Sequence, residues 1–374
     1  MTLQKHLDEN NLWEEGLLAK YCEANQVYVK TSQKYPSLIL LHYADEVSYG
    51  KTWNTFNRMC RGAILDLKRK RVVAWPFDKF FNLNEHESSN FKNLFGKPFL
   101  ATEKLDGSML ILFRDPDSCK NRFTTKGSFD SEHAEYANSI MPKKLEFLDI
   151  SQITFMFELI DSKFRNVIDY KKKGYKDGIY LIGARLIESG DLVTNMQLQD
   201  LAEHIGIPVY KTFDFNAINQ VIDNCENLPA TEEGYVLKFD NEQHLVKVKG
   251  KDYVIAHRIM KGMNDNALID ALKEDKKREI LTNCPEEYRE EVEIRFKKVE
   301  DLACKFIKQA FENFHQCKKN FKERKAFALE VNKTVSPALR KFMFVLYDGQ
   351  DKRVPNMALE LVQKLFIKEG NLTE

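Results

Sequence analysis

The sequence predicts an α+β protein in two parts, a β-rich domain over residues 1–255 and an all-helical domain over residues 256–374. Three observations carry this. Between about residue 26 and about residue 255, short apolar, β-branched and aromatic runs alternate with turn-forming residues. Beyond residue 256, Val292, Phe296, Val299, Ala303, Phe306, Ala310 and Phe314 recur at steps of three and four, which draws one apolar stripe along a long helix over 286–316. The chain has 374 residues, a length that accommodates two domains.

In chain order, strands are expected at 27–30, 38–42, 63–67, 72–75, 110–113, 155–160, 179–185, 235–239 and 245–249. Further helices are expected at 266–281, 321–331, 338–346 and 357–366. Pro285, Pro337 and Pro355 stand near helix starts, where a missing N–H is tolerated. No internal repeat or low-complexity segment is visible.

Composition bounds the function. With 43% apolar and 30% charged residues the chain is of ordinary globular type, and a formal charge of +1 excludes a globally basic nucleic-acid binder while leaving room for local clusters. No run approaches the roughly 18 apolar residues of a membrane span. The N-terminus, with Lys5, His6, Asp8 and Glu9, does not read as a signal peptide, so a cytoplasmic protein without a membrane partner is expected. The seven cysteines (22, 60, 119, 225, 284, 304 and 317) are scattered and form no Cys-x-x-Cys pair, which argues against a zinc site or a disulfide framework.

The chemistry starts at Lys104-Leu105-Asp106-Gly107, set between the apolar runs 98–101 and 108–113. It fits a lysine presented at a strand end as a covalent nucleophile; alone it reads equally as a surface turn. Downstream come Phe157-Glu158, Glu233-Gly234 and Lys247-Val248-Lys249, each inside its own strand-like run, and four such pieces in order are hard to obtain by accident. A lysine amine attacks phosphorus only when neutral, so cations or desolvation must lower its pKa from about 10.4. Lys247 and Lys249, alternate residues of one strand, can put two ammonium groups beside Lys104. Standing alone they read more readily as the solvated face of an edge strand. Glu158, beside the aromatic run Phe155-Met156-Phe157, is costly to bury unless paired, and Glu233, opening the strand at Tyr235, is placed to reach a magnesium ion on phosphate oxygens. The sequence has no phosphate-cradling Gly-x-x-x-x-Gly-Lys-Ser/Thr loop, so side-chain cations must hold phosphates, and Arg61 and Lys79 are candidates; singly, either reads as a surface salt bridge.

Together these residues resemble the covalent nucleotidyltransferases, the ligases and capping enzymes with an ATP-grasp-like, antiparallel-sheet ligase domain. Glu103 to Ser108 resembles their motif I, Phe157-Glu158 motif III, residues 179–185 motif IIIa, Glu233 to Val236 motif IV and Val246 to Lys249 motif V. More narrowly, Cys60-Arg61-Gly62, the run Lys79 to Glu85, Lys126-Gly127-Ser128 and Lys249 to Tyr253 resemble the T-even phage RNA ligase 1 family, over roughly residues 55–255.

The resemblance implies an ATP-dependent RNA ligase that joins 5′-phosphate and 3′-hydroxyl ends through lysyl-AMP and RNA-adenylate, on single-stranded or nicked RNA such as tRNA, in RNA repair. It implies ATP as substrate, with magnesium or manganese. Catalysis would rest on Lys104, Glu158, Glu233, Lys247 and Lys249. ATP would also meet Arg61, Lys79, Glu103, Asp106, Gly107, Lys126 and Val236, with Glu233 and Tyr253 toward the metal. An acidic metal residue of the helical domain is not placed among Asp265, Asp270 and Asp275. Functional coupling to a polynucleotide kinase-phosphatase is expected, and host cytoplasm if the chain is phage-encoded. The alternatives are a tRNA-splicing-type ligase module that requires a 2′-phosphate, and a non-catalytic RNA- or nucleotide-binding protein on a ligase scaffold. DNA ligases and capping enzymes follow motif V with a β-barrel, whereas here helices follow. In those helices Lys318, Lys319, Lys322, Arg324 and Lys325, with Arg340 and Lys341, read either as an RNA-contacting cluster or as a solvated face.

Overall fold

The computed structural model describes residues 1–262, 265–284, 286–321 and 323–368, in two compact units, Met1–Tyr253 and Val254–Glu374. The first unit holds thirteen strands in three sheets. The first sheet is β1 (Val27–Thr31), β2 (Leu38–Tyr43), β3 (Arg61–Asp66) and β4 (Arg71–Ala74), paired antiparallel in that order. The run Leu38-Ile39-Leu40-Leu41 is continuously apolar because both faces of this sheet are covered. Ile39 and Leu41 point into a core with Leu3, Leu7, Leu18 and Cys22, while Leu38 and Leu40 point the other way onto Ile111, Phe113 and Phe129. The first of these cores is closed by two helices, Leu3–Glu9 and Glu15–Ala24, that the strand pattern did not announce.

The remaining strands are β5 (Phe81–Asn82), β6 (Leu100–Glu103), β7 (Ser108–Arg114), β8 (Asn121–Thr125), β9 (Ile153–Ile160), β10 (Gly178–Leu186), β11 (Thr212–Phe213), β12 (Gly234–Phe239) and β13 (His244–Lys249). The second sheet runs β10-β9-β7-β8, all antiparallel. The third runs β11-β6-β12-β13-β5, antiparallel apart from the parallel pair β13-β5. Strand β12 shows the period of two: Tyr235, Leu237 and Phe239 join Val221 and Cys225 of the helix Ile218–Glu226 in one core, while Val236 packs on the opposite side against a cluster with Phe77 and Met156. Residues of the second and third sheets therefore meet in that last cluster, and Lys104, Glu158, Glu233, Lys247 and Lys249 lie on or next to β6, β9, β12 and β13.

Two glycines are required where these strands approach. A side chain at Gly107 would strike the Leu159 carbonyl and Glu158, and one at Gly234, where φ is +126°, would strike the Val248 carbonyl. The helices Asn195–Ile205, started by a Thr194/Gln197 capping box and ended at Gly206 with φ +82°, and Ile218–Glu226 were not expected from the sequence.

The second unit is helical. Its long helix, Glu286–Asn320, buries Val292, Phe296, Val299, Ala303 and Ala310 and half-buries Phe306 and Phe314, as the stripe predicts. The single helix expected over 266–281 is two, Asp265–Lys273 and Lys277–Asn283, because Asp275 turns the chain through φ +54°. Arg324–Thr334 begins three residues later than expected, and Arg340–Tyr347 and Val354–Lys368 complete the set. Pro285, Lys322 and the Asp265 side chain lie outside the described residues. No described helix is long and apolar enough to cross a membrane, and none of the seven cysteines is in a disulfide.

Candidate active site

Lys104 follows β6, where its N–H donates to the Gly234 carbonyl at 2.9 Å, so the neighbouring strand β12 fixes its backbone. Its Nζ lies 2.8 Å from Glu233 Oε1, and Lys249 Nζ lies 2.9 Å from the same oxygen. Register explains the convergence: Gly234 pairs with Lys249, and Val236 with Lys247, so β13 delivers both lysines to one face beside the start of β12. Glu158 reaches across from β9, its Oε1 accepting the Gly107 N–H at 3.0 Å.

Charge in this group runs opposite to the expectation for Lys104. Burial pushes its pKa down, but Glu233, Glu158 and Asp106 outweigh burial and hold it above the ordinary lysine value, as an ammonium. The cations that were to lower it do not dominate, because Lys249 is itself drawn to Glu233. Burial would raise Glu233, yet Lys104 and Lys249 hold it below the usual carboxyl range. Glu158 takes the other course: burial first, then repulsion from Glu233 and Asp106, raises it to about 7 against the pull of Lys104.

A second group has the reverse balance. Lys247 stands over the Phe80 ring at 4.3 Å, and burial followed by the charges of Arg61, Lys104, Lys79 and Lys249 pushes its pKa well below normal. Arg61 lies 5.8 Å from the same ring and donates to Met109 Sδ at 2.9 Å. Lys79 rests against Trp53 and Phe81 at 5.0 and 5.2 Å, with Glu85 3.8 Å away, and is lowered by burial with Arg61 contributing. Lys126 is lowered by burial and by Arg61 and Lys79. Arg61, Lys79, Lys126 and Lys247 are thus brought together, with Val236 half-buried in the cluster that contains Phe80. Packed cations that depress one another's pKa are arranged to meet an anion.

Two expected ligand residues also have protein partners. Asp106 Oδ2 accepts the N–H groups of Val167 and Ile168 at 2.9 and 3.0 Å, and its Oδ1 accepts the Tyr253 hydroxyl at 2.9 Å. Asp106 and Tyr253, both buried, are thus held in place beside Lys104 by these bonds. Glu103 is likewise engaged, accepting the Tyr175 hydroxyl at 2.8 Å.

Among the described residues no three or more His, Cys, Asp or Glu side chains form a ready metal cage. Glu158 and Glu233 are hard oxygen donors whose mutual repulsion a divalent cation relieves, so they fit a magnesium or manganese ion that takes its remaining ligands from phosphate oxygens and water. The sequence reading missed the loop between β9 and β10. Its Tyr170 hydroxyl accepts the Asp106 N–H at 2.6 Å and its Asn166 donates to the Gly107 carbonyl at 2.6 Å. The lysine run flanked by Tyr170 and Tyr175 was the available signal.

Comparison with known proteins adds the following. A putative RNA ligase of Thermovibrio ammonificans is 30% identical over 222 residues, covering 55% of this chain and 55% of the relative. A putative bifunctional polynucleotide kinase/RNA ligase of Autographa californica nuclear polyhedrosis virus is 25% identical, covering 53% of this chain and 30% of the relative. This chain therefore spans about half, or less, of the relatives it matches. Among solved structures, an archaeal ATP-dependent RNA ligase is 15% identical at a TM-score of 0.49, covering 75% of each chain. The family model described as RNA ligase matches residues 59–255, more than half of the chain and the stretch that supplies nearly every side chain of the site; the protein belongs to the RNA ligase family.

Proposed function

We propose that this chain is an ATP-dependent RNA ligase that joins 5′-phosphate and 3′-hydroxyl ends of single-stranded or nicked RNA, tRNA among them. The observation that carries the reading is the pairing of a carboxylate-held lysine, Lys104, with a separate cluster of mutually repelling cations on the same strands. In the first step Lys104 Nζ forms a bond to the α-phosphorus of ATP as the bond to the bridging oxygen breaks and pyrophosphate leaves. The AMP then passes to an RNA 5′-phosphate, and the 3′-hydroxyl of the other end displaces AMP.

Each group has a task in this sequence. Lys247 and Lys249 neutralise charge growing on the α-phosphate, Arg61 and Lys79 hold the outgoing phosphates, Lys126 lies by the ribose and nucleotide, and Val236 lies against the base. Glu233 holds the Lys104 ammonium until ATP arrives. Glu158 and Glu233 would hold a divalent ion, which would supply positive charge that lowers the Lys104 pKa, so that the ammonium proton leaves to water before Nζ attacks. The helical unit serves RNA choice, and the kinase/ligase name of the viral relative supports coupling to an end-healing kinase in RNA repair. Incubation with α-labelled ATP and magnesium tests the reading: a labelled chain on a denaturing gel is expected, absent with γ-labelled ATP. No label from α-labelled ATP under any divalent ion overturns it. Joining only of ends with a 2′-phosphate would move the chain to the splicing-type ligases.

A further inference from the structure

The loop between β9 and β10 carries Tyr170-Lys171-Lys172-Lys173-Gly174-Tyr175-Lys176, and the chemistry above uses none of its lysines. It is pinned beside the nucleophile at three points. The Tyr170 hydroxyl accepts the Asp106 N–H, Tyr175 donates to Glu103 at 2.8 Å, and Lys173 Nζ donates to the Thr231 carbonyl at 3.2 Å, two residues before Glu233. These anchors leave Lys171, Lys172 and Lys176 exposed. Lys171 pairs with Asp177 at 2.9 Å and Lys172 with Asp169 at 4.0 Å, exposed pairs of the kind that exchange readily for another anion. Lys211, over the Tyr175 ring at 4.8 Å, extends the basic edge.

The same loop walls a cavity of about 310 Å³, within the size range of small-ligand sites. Asp106, two residues from Lys104, forms part of its wall. Phe164 and Ile168 offer apolar surface there, and Asp169 and Asp177 offer carboxylate oxygens. We propose that this cavity and its lysine rim bind the 3′-hydroxyl-terminal nucleotide of the RNA to be joined, an inference that rests on the ligase reading. The chemistry selects this end. A 3′-terminal ribose presents two vicinal hydroxyl donors, which carboxylates accept, whereas a 5′-phosphate would set a dianion against Asp169 and Asp177. The base lies against Phe164 and Ile168, and the upstream phosphates cross Lys171, Lys172 and Lys176.

The test uses the full chain, a 5′-adenylylated donor strand and a single-stranded acceptor RNA. Lys172→Glu combined with Lys176→Glu changes only exposed residues, so folding is preserved, and Phe164→Ala probes the cavity separately. Lysyl-AMP formation from ATP is expected to stay within about twofold of the unmodified chain, while the KM for acceptor RNA rises about tenfold in the double variant. Phe164→Ala should weaken acceptor binding, read as anisotropy, while Asp169→Asn should erase the preference for an acceptor ending in a 3′-hydroxyl over the same RNA ending in a 3′-phosphate; a preference that survives Asp169→Asn overturns the proposal. Acceptor KM unchanged in the double variant overturns the proposal, and so does an equal rise for the donor strand. Failure of the unmodified chain to form lysyl-AMP is a separate result, and overturns the ligase reading itself.

Discussion

Lys104 and Lys247 lie in one site and answer it in opposite ways. Lys104 is surrounded by Glu233, Glu158 and Asp106, and its ammonium is held more firmly than in water; Lys247 is surrounded by Arg61, Lys79 and Lys249, and its ammonium is disfavoured. Both are on or beside the same sheet, and both are shielded from solvent. Burial alone therefore does not decide a lysine's state; the sign of the nearest charges does. Glu233 is paired within the protein by Lys104 and Lys249, while on the cation side Arg61, Lys79 and Lys249 repel Lys247.

The largest expected effect comes from removing the reacting atom. Lys104→Ala should leave no gel-detectable adenylylated chain, and label that persists or maps to another lysine would end the comparison at its root. Next is Lys247→Met, which should lower the adenylylation rate by about 100-fold to 1000-fold. The same change removes a disfavoured buried charge, so the urea midpoint should rise. A variant that loses both activity and stability would show that Lys247 has a counter-charge in the fold and that the contrast with Lys104 is false.

The two carboxylates sharpen the comparison through pH. Glu158, raised from 4.5 to about 7, binds its proton more tightly folded than unfolded, so its contribution to stability is present below about pH 4.5 and is lost as pH rises toward 7. Glu233 is lowered, so its contribution is present above 4.5 and is lost as pH falls. Glu158→Gln should flatten the decline between pH 4.5 and 7 in denaturant titrations, an effect of a few kcal/mol at most. An unchanged pH profile would mean that Glu158 titrates as an ordinary surface carboxyl.

The smallest effect is expected in the helical unit. Arg324 is already bidentate with Asp348, at 2.6 and 3.1 Å, and Lys318 stands 3.7 Å over the Tyr347 ring. Charge reversal at Lys319 and Lys325 should therefore change RNA affinity by about twofold or less in anisotropy at low salt. A tenfold loss would show that this cluster, and not another face of the helical unit, meets RNA.

Strands were legible where both faces carry apolar side chains, as in Leu38 to Leu41, because such runs leave a continuous apolar trace, whereas the polar run of β8, Asn121–Thr125, was not expected as a strand although largely buried. The long helix was legible because its stripe is seven positions deep. Asp106 was not, since its partners Val167, Ile168 and Tyr253 are 61, 62 and 147 residues away and two of them contribute only backbone N–H groups, which leave no mark in a side-chain pattern. That Lys104 is held as an ammonium by carboxylates was not legible for a related reason. Spacing along β13 put two lysines nearby, but nothing in the order of residues says that one of them bonds the same carboxylate oxygen as the nucleophile.

That shared oxygen protects the nucleophile. An amine held as an ammonium between burial and Glu233 Oε1 is inert toward the aldehydes, acyl phosphates and other electrophiles that modify neutral lysines in passing. Acetic anhydride at neutral pH should accordingly acetylate exposed lysines such as Lys172 well before Lys104, with mass spectrometry giving the order. Faster modification at Lys104 would show an amine already free. Reactivity that is withheld until Glu233 is drawn elsewhere ties the chemical risk of an exposed nucleophile to the brief interval in which its proper substrate is present.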